Sequence, residues 1–364
     1  MKIVLVSPFN IANYGAILQG WALRRVLERM GHNVQHLNVP WVWHGVRRWW
    51  QILYSSSIAN IIIKVKINGM LRRAYALMGE PPMTRPYGSL KELIKAPPCA
   101  DCYIAGSDQI WGEDRFVKRK DIDLVLLNFG GSSVLRLAYA PSLAKACWSE
   151  VGRQCAAKFR NLFSRFKELS AREDSGCRLV AEFSGRKCVW VPDPTLLLTQ
   201  KEYLGLLGFS SGISVSQAHV FTYLLGFGMA HRRKLVSLII KDILKHDATI
   251  NDVCNVQVPD DLSRWLFGLI SARYVVTNSF HGLCFALIFH RPFVMVGFDG
   301  GEEWRNERVK SLLNRIGLLD RFVISYDEQV VESIVESDVD WNSVDCAVNA
   351  FRQVGIDFIK TNLE

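Results

Sequence analysis

Residues 275–282 combine an apolar stretch with polar side chains that could do chemistry. The segment reads VVTNSFHG, and a helical pattern follows it. His281 is therefore expected at the N-terminus of a helix, where its imidazole and the first backbone N–H groups could bind an anion together. The other interpretation is a histidine that only forms a hydrogen bond with a neighbouring carbonyl group.

Residues 104–109, IAGSDQ, show the same pattern of an apolar stretch followed by polar residues. An apolar stretch and a glycine precede Ser107, Asp108 and Gln109, and polar side chains at the end of a strand can face a ligand. Asp108 is a candidate acid or base. Ser107 or Asp108 could equally be the N-cap of a helix.

Arg172 follows another apolar stretch and precedes two carboxylates, Glu173 and Asp174. An arginine at the end of a strand can hold a carboxylate or a phosphate by two parallel hydrogen bonds. Pairing with Glu173 or Asp174 at the surface is the commoner arrangement.

A turn rich in Asn and Gly precedes the first helical pattern of the chain. It contains Asn13, Tyr14 and Gly15, and the helix that follows could hold an anion or a sugar oxygen at its first N–H groups. The turn lacks the G-x-G-x-x-G of dinucleotide folds and the G-K-[ST] of P-loops, so neither NAD nor ATP is supported. A tight turn with a packed glycine is an equally good interpretation.

A charged segment at residues 302–308, EEWRNER, supplies Arg305 and Arg308. It precedes a helical pattern and could form a flap over a ligand. A solvated loop is the other interpretation.

Alternating strands and helices must position these residues. Apolar stretches predict strands at 2–8, 34–39, 102–105, 136–140, 168–171, 188–191, 220–225, 274–277 and 293–296, and periodicity predicts helices at 16–30, 150–165, 231–245 and 281–289. Strands that alternate with helices build parallel sheets, so the predicted fold class is α/β. Ligands of such sheets bind outside the carboxyl ends of the strands, where the candidate residues fall.

The segment Pro192-Asp193-Pro194 marks the predicted domain boundary, because no helix or central strand runs through it. A length of 364 residues suits two domains at about 150 residues each. We predict an N-terminal domain at 1–195 and a C-terminal domain at 196–364, facing each other across a cleft.

The net charge of +9 indicates an anionic partner, which could be nucleic acid, an acidic membrane surface or a phosphorylated substrate. Nucleic acid is not expected, because the basic residues are dispersed and no recognised binding motif accompanies them. The single C-x-x-C, Cys99 and Cys102, lacks the further ligands of a zinc site, so metal or redox use is not favoured. The chain begins with an apolar strand instead of a signal peptide, and its nine scattered cysteines are typical of a cytoplasmic protein.

Taken together, several segments resemble the polysaccharide pyruvyltransferase family, which includes bacterial exopolysaccharide and capsule biosynthesis proteins. The resemblance covers nearly the whole chain and rests on six segments in order: residues 13–34, 104–111, 137–144, 170–176, 191–198 and 276–294. Each segment alone is weak, and the six in this order are specific.

The resemblance implies two Rossmann-like domains in a GT-B-like arrangement, with the acceptor sugar on the N-terminal side and the donor on the C-terminal side. The last helix is expected to pack back on the N-terminal domain. The implied donor is phosphoenolpyruvate, with no metal or redox cofactor. Arg172, Ser279, Phe280, His281, Gly282, Arg305 and Arg308 are implied to bind the donor, and Asn13, Tyr14, Gly15, Ser107, Asp108 and Gln109 the acceptor.

The implied reaction forms a cyclic pyruvate ketal on two sugar hydroxyls and releases phosphate, with His281 and Asp108 as catalytic residues. One departure concerns the donor: some family members have an arginine two residues before the histidine, where this chain has Ser279. Arg305 or Arg308 is then expected to supply the missing charge. Two alternatives stay open, a GT-B glycosyltransferase that uses a nucleotide sugar and a non-catalytic member that acts in glycan assembly.

Residues 41–75 mix tryptophans with cations, as in WVWHGVRRWW and KVKINGMLRR. Tryptophan and arginine together favour the membrane interface. We therefore consider a membrane-facing insertion that docks on the inner face of the cell membrane beside a lipid-linked acceptor. Core or oligomer contacts of the tryptophans are the other interpretation.

Overall fold

Two units make up the chain. The computed structural model describes residues 1–9, 13–39, 58–118, 121–209, 219–225, 230–247, 249–250, 252–256 and 261–364. The first unit comprises Met1–Leu197 and Phe351–Glu364, and the second comprises Leu198–Ala350. Each unit is built on a parallel sheet.

The first unit contains a four-stranded parallel sheet in the order β2-β1-β3-β4 and a separate parallel pair, β5 and β6. The strands are β1 (Lys2–Val6), β2 (Asn33–His36), β3 (Cys102–Ala105), β4 (Leu135–Ala138), β5 (Ser170–Ala171) and β6 (Val189–Trp190). Residues Ile3 to Val6 of β1 are fully buried, as expected of a parallel strand that is covered on both faces.

The helices of the first unit cover this sheet. They are α1 (Tyr14–Arg29), α2 (Ile58–Met78), α3 (Leu90–Lys95), α4 (Glu113–Lys118), α5 (Ile122–Val125), α6 (Glu150–Ala157), α7 (Arg160–Phe163) and α8 (Asp174–Ser184). An aromatic cluster forms part of the core, with the Phe163 ring 5.3 Å from Trp111 and 5.2 Å from Phe183.

The carboxyl ends of β1, β3 and β4 lie at one edge of the first sheet. The register pairs Val6 with Ala105 and Ala105 with Ala138, so the loops after the three strands start side by side. Gly106 is required there, because a Cβ atom at this position would lie 2.9 Å from the Cβ of Ser7. The glycine of IAGSDQ thus allows two loops to approach closely.

The second unit contains a five-stranded parallel sheet in the order β11-β10-β9-β7-β8. Its strands are β7 (His219–Tyr223), β8 (Asp252–Asn255), β9 (Tyr274–Thr277), β10 (Phe293–Val296) and β11 (Phe322–Val323). The register pairs Thr277 with both Tyr223 and Met295, so the carboxyl ends of the three central strands lie at one edge.

The helices after these strands complete an α/β alternation. They are α9 (Gln200–Leu206), α10 (Ala230–His246), α11 (Leu262–Ile270), α12 (Phe280–Ile288), α13 (Glu307–Ile316), α14 (Glu328–Glu336) and α15 (Trp341–Leu363). The predicted α/β fold class is therefore confirmed, and both units are Rossmann-like.

The predicted helix at 150–165 is wrong in one respect, because two short helices, α6 and α7, replace it. Phe159 leaves the helical conformation with φ of −102° and ψ of 16°. Its ring centroid then lies 6.2 Å from that of Phe116, so tertiary packing overrides the helical periodicity.

Only part of the predicted insertion at 41–75 can be placed, since residues 41–57 lie outside the described residues. The remainder belongs to α2, which buries Met70, Ala74 and Met78 at a spacing of four residues and exposes Lys66 and Arg72. Among the described helices, none has an apolar stretch long enough to cross a bilayer.

The chain returns to the first unit in the second half of α15. Phe351 packs edge-on against Trp190 at 5.1 Å between ring centroids, and the Phe358 ring lies 6.1 Å from that of Tyr139. Arg352 Nε donates to the Leu196 carbonyl at 2.7 Å. The C-terminal residues therefore complete the core of the first unit.

Candidate active site

Arg172 is the centre of an ion-pair network in the first unit. It follows β5, and its Nη1 donates to Oδ2 of Asp193, which follows β6, at 2.8 Å. Glu173 Oε1 lies 3.8 Å from Nε, and Asp108 Oδ1 lies 4.0 Å from Nη2. Burial alone would lower the pKa of Arg172, but the charges of Asp193, Glu173 and Asp108 outweigh it and raise the pKa.

Most of this network is closed to solvent. The side chains of Arg172 and Glu173 are each 1% exposed and that of Asp193 is fully buried, whereas that of Asp108 is 17% exposed. The surface ion pair considered for Arg172 is therefore wrong. Its contact with a donor stays a prediction, and among these four residues Asp108 is the best placed to meet a ligand.

Asp193 organises the interior side of the network. Its Oδ2 accepts from Ser107 Oγ at 3.2 Å, and its Oδ1 accepts from the backbone N and the Oγ1 of Thr195 at 2.9 Å and 2.8 Å. Burial, together with the negative charge of Asp193, raises the pKa of Tyr139 well above its ordinary value. In the sequence, the Pro-Asp-Pro segment indicates only a domain boundary, and the role of this carboxylate is missed, although it follows a strand just as Arg172 does.

Glu173 holds the loop after β4 in place. Its Oε1 accepts a hydrogen bond from Ser142 Oγ, and its Oε2 accepts from the backbone N of Leu143 at 3.3 Å. Ser142 in turn donates its backbone N–H to the carbonyl of Asp108 at 2.8 Å. Glu173 therefore stabilises the backbone that carries Asp108.

Asp108 adopts a left-handed backbone conformation with φ of 80°. Its Oδ1 accepts from the backbone N of Gln109 at 2.8 Å, which orients the carboxylate. The helix N-cap role considered for Ser107 and Asp108 is wrong, because the next helix begins at Glu113. Ser107 is instead buried against Asp193, and Gln109 is half-buried.

The turn before α1 is a helix cap. The Oδ1 atom of Asn13 accepts from the backbone N of Ala16 at 3.2 Å. Asn13 is half-buried, whereas Tyr14 and Gly15 are buried. The acceptor contacts predicted for these three residues stay predictions, with Asn13 the most accessible of them.

In the second unit, the turn from β9 into α12 places His281 as expected. Helix α12 begins at Phe280, so the predicted position of His281 at a helix N-terminus is confirmed. Ser279 is the N-cap, and its Oγ accepts from the backbone N of Gly282 at 3.2 Å. A Cβ at Gly282 would lie 2.8 Å from Thr277 Oγ1, so this turn needs glycine.

His281 and Arg308 both contact the ring of Phe280. The ring centroids of His281 and Phe280 are 5.5 Å apart at an angle of 84°, and Arg308 Cζ lies 5.9 Å from the centroid of Phe280. His281 is buried, with 8% of its surface exposed. Arg308 thus brings a positive charge to the turn that carries His281.

Asn278 joins this turn to the end of β7. Its Oδ1 accepts from the backbone N of Leu225 at 2.7 Å, and its Nδ2 donates to the Leu225 carbonyl at 2.8 Å. The same carbonyl accepts from Arg232 Nη1 at 3.5 Å. Arg232 therefore lies beside the turn of β9 and α12.

Arg232 and Arg305 share one carboxylate, that of Glu302. Arg232 Nη2 donates to Glu302 Oε2 at 2.5 Å, and Arg305 Nη1 donates to Oε1 at 3.1 Å. Both guanidinium groups lie over the ring of Phe298, with Cζ-to-centroid distances of 4.7 Å and 4.2 Å. Burial alone would raise the pKa of Glu302, but the hydrogen bond from Arg232 and the charge of Arg305 lower it.

Arg305 is among the residues predicted from the sequence, but Arg232 is not. Position 232 lies in a run of four residues, HRRK, at the start of a predicted helix, and periodicity does not distinguish its cations. Arg232 is buried, whereas Arg233 is exposed. The usable signal was the position of the run at the start of the helix that follows a strand.

Among the residues that the structure describes, no group of three or more His, Cys, Asp or Glu side chains is arranged so that it could hold a metal ion. Cys99 and Cys102 do not share an environment, because Cys99 is exposed and Cys102 is buried. Burial raises the pKa of the Cys102 thiol to about 12. Cys102 is therefore a neutral core side chain.

Solved structures with the same fold define the class of this protein. The fold resembles UDP-GlcNAc 2-epimerase from Neisseria meningitidis, with a TM-score of 0.54 at 10% identity over 100% of both chains. It also resembles the glycotransferase of kitacinnamycin, with a TM-score of 0.50 at 11% identity over 99% of this chain and 98% of the other. The predicted GT-B-like class of two Rossmann-like domains is confirmed.

The sequence identifies the family within that class. The profile of the family described as polysaccharide pyruvyl transferase matches residues 13–300. The chain belongs to this family, as the resemblance predicted. Among proteins of curated function, no sequence matches it.

Proposed function

We propose that the protein transfers pyruvate from phosphoenolpyruvate to two hydroxyls of a sugar in a polysaccharide or glycan precursor. The products are a cyclic pyruvate ketal and phosphate. Membership of the polysaccharide pyruvyl transferase family over residues 13–300 is the observation that carries the proposal. The cations around the turn of β9 and α12 support an anionic donor.

The chemistry proceeds by addition and elimination. A proton adds to the methylene carbon of phosphoenolpyruvate, and the central carbon becomes cationic. One sugar hydroxyl adds to that carbon and loses its proton, and the bond between the carbon and the phosphate oxygen breaks. The second hydroxyl then adds to the same carbon and loses its proton to the base or to the departing phosphate, which closes the ketal. The site must supply an acid, a base and cations for the departing phosphate.

On the donor side, we assign binding to His281 with Gly282, Phe280 and Ser279 in the turn that begins α12. Where some family members have an arginine, Ser279 caps the helix, so the positive charge must come from other elements. Arg308, over the ring of Phe280, and Arg305, over the ring of Phe298, supply it. Phosphate and carboxylate are the groups that such guanidinium donors bind.

On the acceptor side, we assign the orientation or deprotonation of a sugar hydroxyl to Asp108. Its carboxylate keeps partial exposure, and Arg172 and Glu173 fix its surroundings. Arg172 itself is enclosed, which favours a role in positioning Asp108 over a direct contact with the donor. Asn13 and Gln109 are the other half-buried polar residues of the predicted acceptor set.

A product assay tests the proposal. Purified protein is incubated with phosphoenolpyruvate and a panel of lipid-linked or nitrophenyl glycosides, and the products are checked by mass spectrometry for one added pyruvate ketal with equimolar phosphate. His281→Ala should abolish this product, while His290→Ala, at a histidine paired with Asp345, should retain it. Product formation that His281→Ala leaves intact would reject the assigned donor site.

A glycosyltransferase that uses a nucleotide sugar is the second candidate, favoured by the fold shared with the glycotransferase of kitacinnamycin. The fold alone does not choose between the two donors. Thermal stabilisation by a nucleotide sugar but not by phosphoenolpyruvate, with transfer of the sugar, would replace the proposed reaction. Binding of neither donor would point to the non-catalytic alternative.

We further propose that the acceptor is lipid-linked and that residues 41–75 dock on the inner face of the cell membrane. The described part, α2, exposes Val65 together with Lys66, Arg72 and Arg73. Apolar and cationic side chains together bind anionic bilayers. Flotation with liposomes should show binding that requires anionic lipid and falls with salt; the lack of such binding would reject the docking.

A further inference from the structure

Among the described residues of the second unit, Arg232 and Arg305 form a preorganised anion site. Their guanidinium groups are held on one ring, Phe298, and each directs one donor to a different oxygen of the same carboxylate. A carboxylate or phosphate ligand would take up the same two donors, since two oxygens bridged by two guanidinium groups are a recurrent geometry for both.

The carboxylate in that position belongs to the segment that follows β10. Asn306 pins the two ends of this segment, because its Oδ1 accepts from the Phe298 backbone N at 2.7 Å and its Nδ2 donates to the Phe298 carbonyl at 2.8 Å. Arg305 is next to the pinned end and Arg232 is in α10. The backbone positions of both arginines therefore do not depend on the rotamer of the Glu302 side chain.

Two glycines lie in the middle of the segment, directly before Glu302. Gly300 and Gly301 have φ values of 63° and 92°, and a Cβ atom on either would meet nothing within 4 Å. Two glycines in open space next to Glu302 allow rotation that other residues would resist. Glu302 is also partly exposed, with 29% of its side chain accessible, so it can leave into solvent.

We propose that Arg232 and Arg305 bind the phosphate of the anionic donor and that Glu302 occupies their site until that ligand displaces it. The inference rests on the proposed function for the identity of the ligand and adds Arg232, which no other observation assigns. Leu225 connects the site to the donor turn, because its carbonyl accepts from both Arg232 and Asn278. Asp299, 3.7 Å from Arg232 Nε, keeps a countercharge beside Arg232 when Glu302 leaves.

Inorganic phosphate is the probe that tests this site, titrated by calorimetry at constant ionic strength into the full-length protein. Arg232→Lys and Arg305→Lys keep the charge but lose the planar pair of donors, and each should weaken phosphate binding by roughly tenfold or more. Arg233→Lys is the matched control, because Arg233 is the exposed neighbour of Arg232. It should leave the affinity unchanged.

Glu302→Gln distinguishes a displaced carboxylate from a structural ion pair. Removing the internal competitor should tighten phosphate binding by roughly fivefold, whereas a purely structural Glu302 gives no gain. Glu332→Gln removes the partner of Lys245 in the same unit, with the same change of net charge, and should give no gain either. Equal affinity in the wild type, Arg232→Lys and Arg305→Lys, or no tightening in Glu302→Gln, overturns the proposal.

The outcome separates this inference from the proposed function. If phosphate binds as predicted but no glycoside gains a pyruvate ketal, the anion site stands and the proposed reaction fails. If ketal forms while Arg232→Lys and Arg305→Lys leave phosphate affinity and the KM for phosphoenolpyruvate unchanged, the reaction stands and this site is wrong.

Discussion

At the scale of single residues, the charge balance around Arg172 is expected to have a large effect on stability. A fully enclosed guanidinium group depends on its carboxylates, and Asp193 is the nearest at 2.8 Å. Removal of one partner of a buried pair leaves the other charge uncompensated. The network is therefore needed for folding as well as for the position of Asp108.

Asp193→Asn should lower the free energy of unfolding by about 3–5 kcal/mol, because it takes the main countercharge from Arg172. Asp357→Asn, at an exposed position of α15, should change it by less than about 0.5 kcal/mol. Denaturant unfolding measures both. Equal stability of the two variants would show that Arg172 is compensated without Asp193.

Asp108 allows chemistry and backbone strain to be separated. Asp108→Asn keeps a residue that tolerates φ of 80° and should leave stability nearly unchanged, while turnover falls by about 100-fold or more. Asp108→Ala should in addition lose about 1–2 kcal/mol of stability from the left-handed conformation. Steady-state kinetics and denaturant unfolding give both quantities; unchanged turnover of Asp108→Asn would remove Asp108 from the catalytic residues.

At the scale of elements, much of the fold follows from the sequence and some of it does not. The predicted bounds of β3, β9 and β10 coincide with the observed ones because short apolar runs end at glycine or polar residues. The break between α6 and α7 could not be predicted, since it depends on where the ring of Phe159 packs. Local patterns determine elements, and distant contacts adjust them.

The same limit applies to the candidate site. His281 was predictable because a polar turn between an apolar strand and a helix is a local pattern. Arg232 and Asp193 were not, because their roles depend on contacts with residues 70 and 86 positions away, Glu302 and Ser107. A single sequence shows which side chains stand at strand ends but not which of them meet.

Glu113 links α4 to the start of α6 and gives a prediction about pH. Its carboxylate accepts from Lys145 Nζ at 2.6 Å and from the backbone N of Ser149 at 2.7 Å. Burial alone would raise the pKa of Glu113, but these hydrogen bonds lower it below its ordinary value of 4.5. The stabilisation is thus complete above that value and is lost as the pH falls through the lowered pKa of the folded state.

Glu113→Gln should therefore cost about 1–2 kcal/mol at neutral pH, and the difference from the wild type should shrink as the pH falls below 4.5. Urea unfolding from pH 7 down to pH 3 measures it. Glu182→Gln, in an exposed pair with Arg153, serves as the control with an effect under about 0.5 kcal/mol. A difference that stays constant down to pH 3 contradicts the assignment.

At the scale of the whole molecule, the first unit is formed from both ends of the chain. Residues 351–364 join residues 1–197 after the second unit has been completed. Because the first unit includes both ends of the chain, its stability depends on the last turns of α15. The C-terminal aromatic residues are the contacts to test.

Phe358→Ala should destabilise the protein by about 3–5 kcal/mol, because a buried ring next to Tyr139 is replaced by a cavity. Val330→Ala, at a position that is 45% exposed in α14, should cost less than about 0.5 kcal/mol. Denaturant midpoints of the two variants give the comparison. A small effect of Phe358→Ala would mean that the C-terminal segment is not part of the cooperative core.

In the proposed reaction, phosphoenolpyruvate is consumed by protonation of its methylene carbon and by loss of phosphate through cleavage of the carbon–oxygen bond. The most direct measurement is the reaction in D₂O with phosphoenolpyruvate that carries ¹⁸O at the bridging oxygen, in the presence of a glycoside that accepts the group. We predict one deuterium in the methyl group of each ketal and the ¹⁸O in the released phosphate. Released phosphate without ¹⁸O, together with free pyruvate and no ketal on the sugar, would contradict this reaction.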